Sequence, residues 1–310
     1  MNRLFLASLL AVLAASSALA TDRLPVVASF SILGDMVSRV GGDRVAVAAL
    51  VGPDGDAHVY EPTPDDIKAV AGAKLLVVNG LGFEGWMDRL AEASGYKGPV
   101  TVASNGVIPR KMAEEEGGHN DADASSHADQ AHQGIDPHAW QDVANAVTYV
   151  KNIAAGLDTA DPQGKAMYDA NAAAYIAELE ALDAEARSTM AALPADRRKI
   201  ITSHDAFGYF GAAYGLTLLA PEGMSTESEA SAADVARIIR QIRDDAIPAI
   251  FVENIKDRRM IDQIAAETHA VVGGELYTDA LSAKDGPAPT YVDMIRHNIG
   301  TLTEALAPKR

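Results

Sequence analysis

Between Asp161-Pro162 and Pro194 the chain carries one unbroken helical pattern, and that pattern divides the rest of it in two. Tyr168, Ala172, Tyr175, Leu179, Leu182, Ala186, Met190 and Leu193 follow one another in steps of 4, 3, 4, 3, 4, 4 and 3. The average, about 3.6 residues, is the repeat of an α-helix. Pro162 suits a first turn, where its missing N–H costs no hydrogen bond, and Pro194 stops the run. Roughly 30 residues at about 1.5 Å each make a rod near 45 Å, longer than a typical lobe is wide. Such a rod midway along 310 residues predicts a spine over 162–193 joining an N-terminal lobe, 21–161, to a C-terminal lobe, 194–310. At roughly 150 residues per domain, each half is expected to bury a core of its own.

Both halves alternate short apolar runs with amphipathic ones. Leu24 to Phe30, Val45 to Val51, Leu75 to Asn79 and Val100 to Ala103 read as strands. Helices are expected over Ile32 to Val40, from Pro64, and over Phe83 to Ala93. After Pro194 the strands are Lys199 to Thr202, Leu216 to Leu219, Ala249 to Val252 and Ala270 to Val272. The helices there are Ala206 to Tyr214, Ala232 to Asp244, Arg259 to Thr268 and Tyr291 to Leu306. Strand alternating with helix predicts an α/β fold of two lobes, each a mainly parallel sheet flanked by helices, joined by one long rigid linking helix.

Two stretches fall outside this pattern. Residues 1–20 run from Arg3 through an apolar stretch to Ala18-Leu19-Ala20, the small-x-small ending of a secretory signal peptide. The mature chain is expected to start near Thr21 in a periplasm, and the absence of cysteine predicts no lipid anchor. Over 113–134 the chain holds six acids, three histidines and nothing apolar larger than Ala. Too little surface can be buried there to offset ordering entropy, so a mobile acidic loop is expected, with His119, His127 and His132 as auxiliary sites of metal capture.

Composition narrows the chemistry. With 26 Lys and Arg against 43 Asp and Glu, the net charge is −17, which repels nucleic acid and anionic membranes and attracts cations. The absence of cysteine removes all-thiolate zinc sites, iron–sulfur clusters and thiol catalysis. Histidine is then the principal soft-to-borderline ligand. In open parallel sheets ligands sit beyond the carboxyl ends of strands. His58 follows the second strand by a Gly-Pro-Asp-Gly turn, His138 stands where a loop enters a helix, His204 follows the strand ending at Thr202, and Asp279 comes after the last strand. Three imidazoles and one carboxylate suit tetrahedral Zn2+. Ser203-His204-Asp205 is no hydrolase triad, since adjacent side chains diverge. Neither H-E-x-x-H nor a P-loop occurs. His269 and His297 read as structural or surface residues, and Glu227, Glu229 and Glu253 are candidates for the second lobe's rim, a placement the sequence does not decide.

The same residues carry a family resemblance. Gly52-Pro-Asp-Gly-Asp-Ala-His-Val-Tyr-Glu-Pro-Thr-Pro64, Asp136-Pro-His-Ala-Trp140, Thr202-Ser-His-Asp-Ala-Phe-Gly-Tyr-Phe210 and Gly274-Glu-Leu-Tyr-Thr-Asp-Ala-Leu281 resemble, in order, four motifs of the periplasmic zinc/manganese-binding proteins of ABC transporters, the cluster A-I group. The resemblance implies a non-enzymatic carrier with metal between two lobes, held by His58 and His138 from the first and by His204 and Asp279 from the second. It implies a membrane ABC permease as partner, with a periplasmic zinc donor as a further one, and a monomer that binds no nucleic acid. Manganese-selective relatives usually carry Glu at the position of His204, so His there points to Zn2+ as the bound solute. The absent cysteine and the short loop are similar to the AztC type of zinc-binding protein. The alternative is a manganese or iron carrier of the same fold, ahead of a secreted zinc hydrolase or a metal-containing adhesin.

Overall fold

The computed structural model of the chain describes residues 23–111, 134–268 and 270–308. The signal-peptide stretch, the three loop histidines and His269 lie outside them. Short apolar runs rich in Val and Ile become strands, and the amphipathic segments between them become helices, because each can bury one face only against the other. The first sheet is built from β1 (Leu24–Phe30), β2 (Val45–Val51), β3 (Leu75–Val78) and β4 (Val100–Val102), in the order β2-β1-β3-β4. All of its pairings are parallel, with Leu24 opposite Val45, Val26 opposite Leu75 and Leu76 opposite Val100. Helices α1 (Ser31–Gly41), α2 (Pro64–Gly72) and α3 (Met87–Ser94) make the crossovers.

The second sheet repeats the design with β5 (Lys199–Ile201), β6 (Thr217–Leu219), β7 (Ala249–Glu253) and β8 (Val271–Leu276), in the order β6-β5-β7-β8, again all parallel. Its helices are α6 (Gly208–Tyr214), α7 (Ala232–Asp244), α8 (Arg259–Thr268) and the closing α9 (Tyr291–Leu306). Pairing of β7 with β8 shifts between Ile250 and Val252. The extra length on β8 falls at Gly273-Gly274, where a Cβ on Gly273 would stand 2.5 Å from the Phe251 ring and Gly274 has φ +131°. A side chain at either position would block the bulge.

The long helix is α5 (Lys165–Ala191), about 40 Å at 1.5 Å per residue. It starts one turn later than expected, because Pro162–Gly164 forms a 3-10 turn. It is also not solitary. The 18-residue α4 (Val143–Ala160), of which the sequence reading noted only the start, packs along it. A second difference is at α3, which begins at Met87 rather than Phe83. Gly80, Leu81 and Gly82 all have positive φ, and the Glu84 carboxylate accepts from Asn79 N and Gly80 N, so the chain is still turning through these residues.

The expectation of two separate cores does not hold. One apolar cluster runs from the first sheet through α4 and α5 into the inner face of the second sheet, taking in Phe30, Trp140, Leu179, Phe210, Phe251 and Tyr291. Among the described residues the outer face of the second sheet has a separate cluster, made by Ile201, Ile238, Ile242, Ile250, Ile261 and Ile264 under α7 and α8. Hydrogen bonds cross between the lobes as well. Leu281 N donates to Ser31 Oγ at 3.0 Å, Tyr291 N to Asp35 Oδ2 at 2.9 Å, and Arg110 N to Tyr209 Oη at 2.8 Å. Among the described residues no helix is long and apolar enough to cross a membrane.

Candidate metal centre

Segments that follow the carboxyl ends of strands in both sheets meet at a shared buried point. The His58 segment leaves β2 through residues 52–57 and is fixed at its far end by the N-terminus of α2. There Thr63 and Asp66 form a reciprocal capping box around Pro64. Trp86 Nε1 donates to Ala57 O at 2.8 Å, which holds the segment down immediately before the histidine. His138 is set by its own neighbour: Asp136 Oδ1 accepts from His138 N at 3.0 Å and lies 2.9 Å from His138 Nδ1. That bond leaves Nε2 free to point inward, while Asn79 Nδ2 holds the Pro137 carbonyl at 2.9 Å.

His204 follows β5. Glu253, the last residue of β7, accepts from Ser203 N at 2.7 Å and His204 N at 2.9 Å through one oxygen, and its other oxygen pairs with His204 Nδ1. Glu253, one of the rim candidates, is instead 2 % exposed and lies behind the imidazole. Glu227 and Glu229 are exposed. His297 hydrogen-bonds the Glu275 carbonyl at 3.0 Å, on α9.

Asp279 comes three residues after β8, but its backbone is tied to the first lobe. The Thr278 carbonyl accepts from Trp140 Nε1 and Gln141 Nε2, both at 2.9 Å. The even division of donors between lobes is thus a division by sheet rather than by attachment.

The structure brings His58, His138, His204 and Asp279 together, with one potential donor atom from each lying within 4.8 Å of all the others. His58 Nε2 is 3.3 Å from His138 Nε2 and 3.2 Å from Asp279 Oδ2; His204 Nε2 is 3.2 Å from Asp279 Oδ2. Four donors at about 2.0–2.1 Å around a tetrahedral zinc stand about 3.3 Å apart. All four residues are buried, and among the described residues His204 Nε2 and both Asp279 oxygens lack a hydrogen-bond partner. Buried polar atoms are rarely left so, and three on one point fit a cation as the missing partner.

Charge is arranged to match. Burial works against ionisation of His204, but the carboxylates of Glu253 and Asp279 outweigh it and raise its pKa well above the imidazole range. Burial alone would push Asp279 up; His138 and His204 overcome that and hold its carboxyl well below the usual range. Burial, aided by the other two imidazoles, lowers His58, with Asp279 opposing. Phe83 stands edge-on to His58 at 4.8 Å and Trp140 to His138 at 5.3 Å, walling the point with apolar rings.

Sequence reasoning named the four candidate donors but missed the work of Asp136 and Glu253. Both left a signal: Asp136 is two residues before His138, and Glu253 sits where a parallel strand ends at the ligand-facing edge.

Comparison with known proteins places the chain in a family. Residues 26–305 match the family model described as "Zinc-uptake complex component A periplasmic" (ZnuA). The chain is 33 % identical over 286 residues to the manganese-binding lipoprotein MntA of Halalkalibacterium halodurans, covering 92 % of this chain and 89 % of that one. It is 31 % identical over 295 residues to the iron ABC transporter substrate-binding lipoprotein MtsA of Streptococcus pyogenes, covering 93 % and 90 %. The solved structure of the periplasmic zinc-binding protein TroA from Treponema pallidum superposes with a TM-score of 0.83 at 31 % identity, over 93 % of this chain and all of that one. A parallel-sheet pair joined by a long helix, matched along nearly its whole length, identifies the chain as a member of the ZnuA family of metal-binding solute-binding proteins.

Proposed function

We propose that the protein is a periplasmic carrier that captures Zn2+ with His58, His138, His204 and Asp279 and delivers it to a membrane ABC permease. The observation that carries this reading is the convergence of three imidazoles and one carboxylate, all within 4.8 Å of one another, at one buried point. Imidazole suits zinc, whereas manganese prefers carboxylate oxygens. Four protein donors complete the tetrahedron and leave no position for a reacting water, which favours carriage over hydrolysis. The His-bearing third motif and short acidic loop favour the AztC type within the family. Delivery to a permease rests on relatives such as the iron ABC transporter protein MtsA.

Relatives named for manganese and iron support a second reading, a manganese or iron carrier with the same four donors. Metal competition separates the two. The metal-free protein is titrated with zinc, manganese and ferrous iron against a chelator of known affinity, and zinc is expected to bind most tightly. Because zinc follows iron and manganese in the Irving–Williams order for most sites, the informative comparison is with His204→Glu. That substitution should narrow the zinc preference, and an unchanged preference would count against the assignment of His204.

A further inference from the structure

The four donors are not equally supported. His138 and His204 each have a carboxylate behind Nδ1, Asp136 and Glu253 respectively. Among the described residues none stands behind Nδ1 of His58. His58 is also 9 % exposed, whereas His138, His204 and Asp279 are at 0 %. Its hold on the cluster runs instead through the backbone. His58 N donates to Asp56 Oδ1 at 3.0 Å, and the other oxygen of Asp56 accepts from Thr226 Oγ1 at 2.6 Å. Thr226 is buried and belongs to the second lobe, in the segment after β6. One carboxylate thereby joins the amide of a first-lobe donor to a hydroxyl on the far side of the cleft. Two residues earlier, Asp54 is braced the same way, by Asn254 Nδ2 at 3.1 Å and by its own N–H to Leu281 O at 2.9 Å.

We propose that Thr226 is a positioning residue for metal release: through Asp56 it holds His58 against the other three donors, and breaking that hydrogen bond across the cleft lets His58 withdraw first. The inference rests on the metal-carrying reading above and adds to it an order of ligand release. His138, His204 and Asp279 then form the part of the site that stays assembled, and His58 is the part that opens. Among the described residues the Thr226 hydroxyl bonds to Asp56 and to no donor side chain, so its effect on the metal passes through the His58 segment.

The test is the rate at which zinc-loaded protein gives up zinc to an excess of a chromophoric chelator, followed by stopped flow. Thr226→Val keeps the shape and removes the hydroxyl. It is expected to raise the release rate roughly tenfold, within the range that loss of an outer-shell partner costs a metal site. Thr226→Ser is expected to restore slow release, and Thr226→Ala gives an independent removal should the valine variant fold poorly. In a His58→Ala background, Thr226→Val is expected to change the rate no further. Release at the wild-type rate from both the valine and alanine variants overturns the proposal, as does an equal acceleration with and without His58. Failure of the wild-type protein to hold one zinc per chain overturns the metal-carrying reading itself, a result distinct from either.

Discussion

Behind His204 the Glu253 carboxylate receives two backbone N–H groups and the imidazole Nδ1, so one buried side chain sets the direction in which Nε2 points. Such outer partners fix the tautomer and raise the basicity of a ligating imidazole. Glu253→Gln is expected to weaken zinc binding by roughly 10–100-fold, while His204→Ala lowers it by orders of magnitude. Chelator-competition titration reads both, and an unaffected His204→Ala would remove that residue from the site. Protons compete at the same atoms. With its pKa raised well above the imidazole range, His204 in the metal-free chain is charged at neutral pH. Its ion pair stabilises the metal-free fold fully below the ordinary imidazole range and is lost as pH climbs through the raised value. On the proposed zinc-carrying reading the ion must expel that proton, so affinity falls as pH falls, and at least about one proton should leave per zinc bound at pH 7. Calorimetry in buffers of different ionisation enthalpy measures the number.

Among the elements, α5 and α9 both help to join the two sheets, α5 packing on α1 and α6 and α9 on β8 and α1. Tyr168, Ala172, Tyr175, Leu179, Leu182, Ala186 and Met190 form one buried stripe on α5. Leu182→Ala, at a position with 0 % exposure, should cost about 2–5 kcal/mol in urea unfolding. Helix α9 is held at its start by Thr290, whose hydroxyl accepts from Asp293 N, and by Asp35 of the first lobe, whose carboxylate accepts from Tyr291 N. Burial pushes the Asp35 carboxyl up to about 6, against the bond from Tyr291 and the nearby Arg39, with Asp293 and Glu178 adding to the rise. Since the folded value lies above the unfolded one, the folded state holds its proton more tightly, and stability from this group is lost as pH rises from about 4 to about 6. Asp35→Asn should therefore be more stable than the parent at pH 7.5, by about 2–3 kcal/mol, and the difference should close near pH 4. Metal-free protein unfolded in urea at the two pH values checks this.

At the scale of the molecule, the continuous core and the bonds that tie residues 278–291 to the first lobe make the halves interdependent. A single cooperative thermal transition is expected, with calorimetric and van't Hoff enthalpies equal, and two resolved transitions would contradict the shared core. Much of the architecture could be read from local pattern. Helical spacing from Tyr168 marked α5, and the apolar runs Leu24–Phe30 and Val45–Val51 marked β1 and β2, because periodicity and run length are properties of neighbouring residues. Motif position likewise singled out His58, His138, His204 and Asp279. Their distances from one another, the place of Glu253 behind His204 and the hold of Trp140 on the Asp279 segment involve contacts between residues far apart in the chain. Sequence alone determined most of the strands and helices, though neither the extent of α4 nor the start of α3, and which side chains are candidates for metal-binding chemistry. Only the tertiary structure decided that the two sheets share a core and that their loops meet at one buried point, because apolar burial is non-directional and gives no local sign of which surface will cover which.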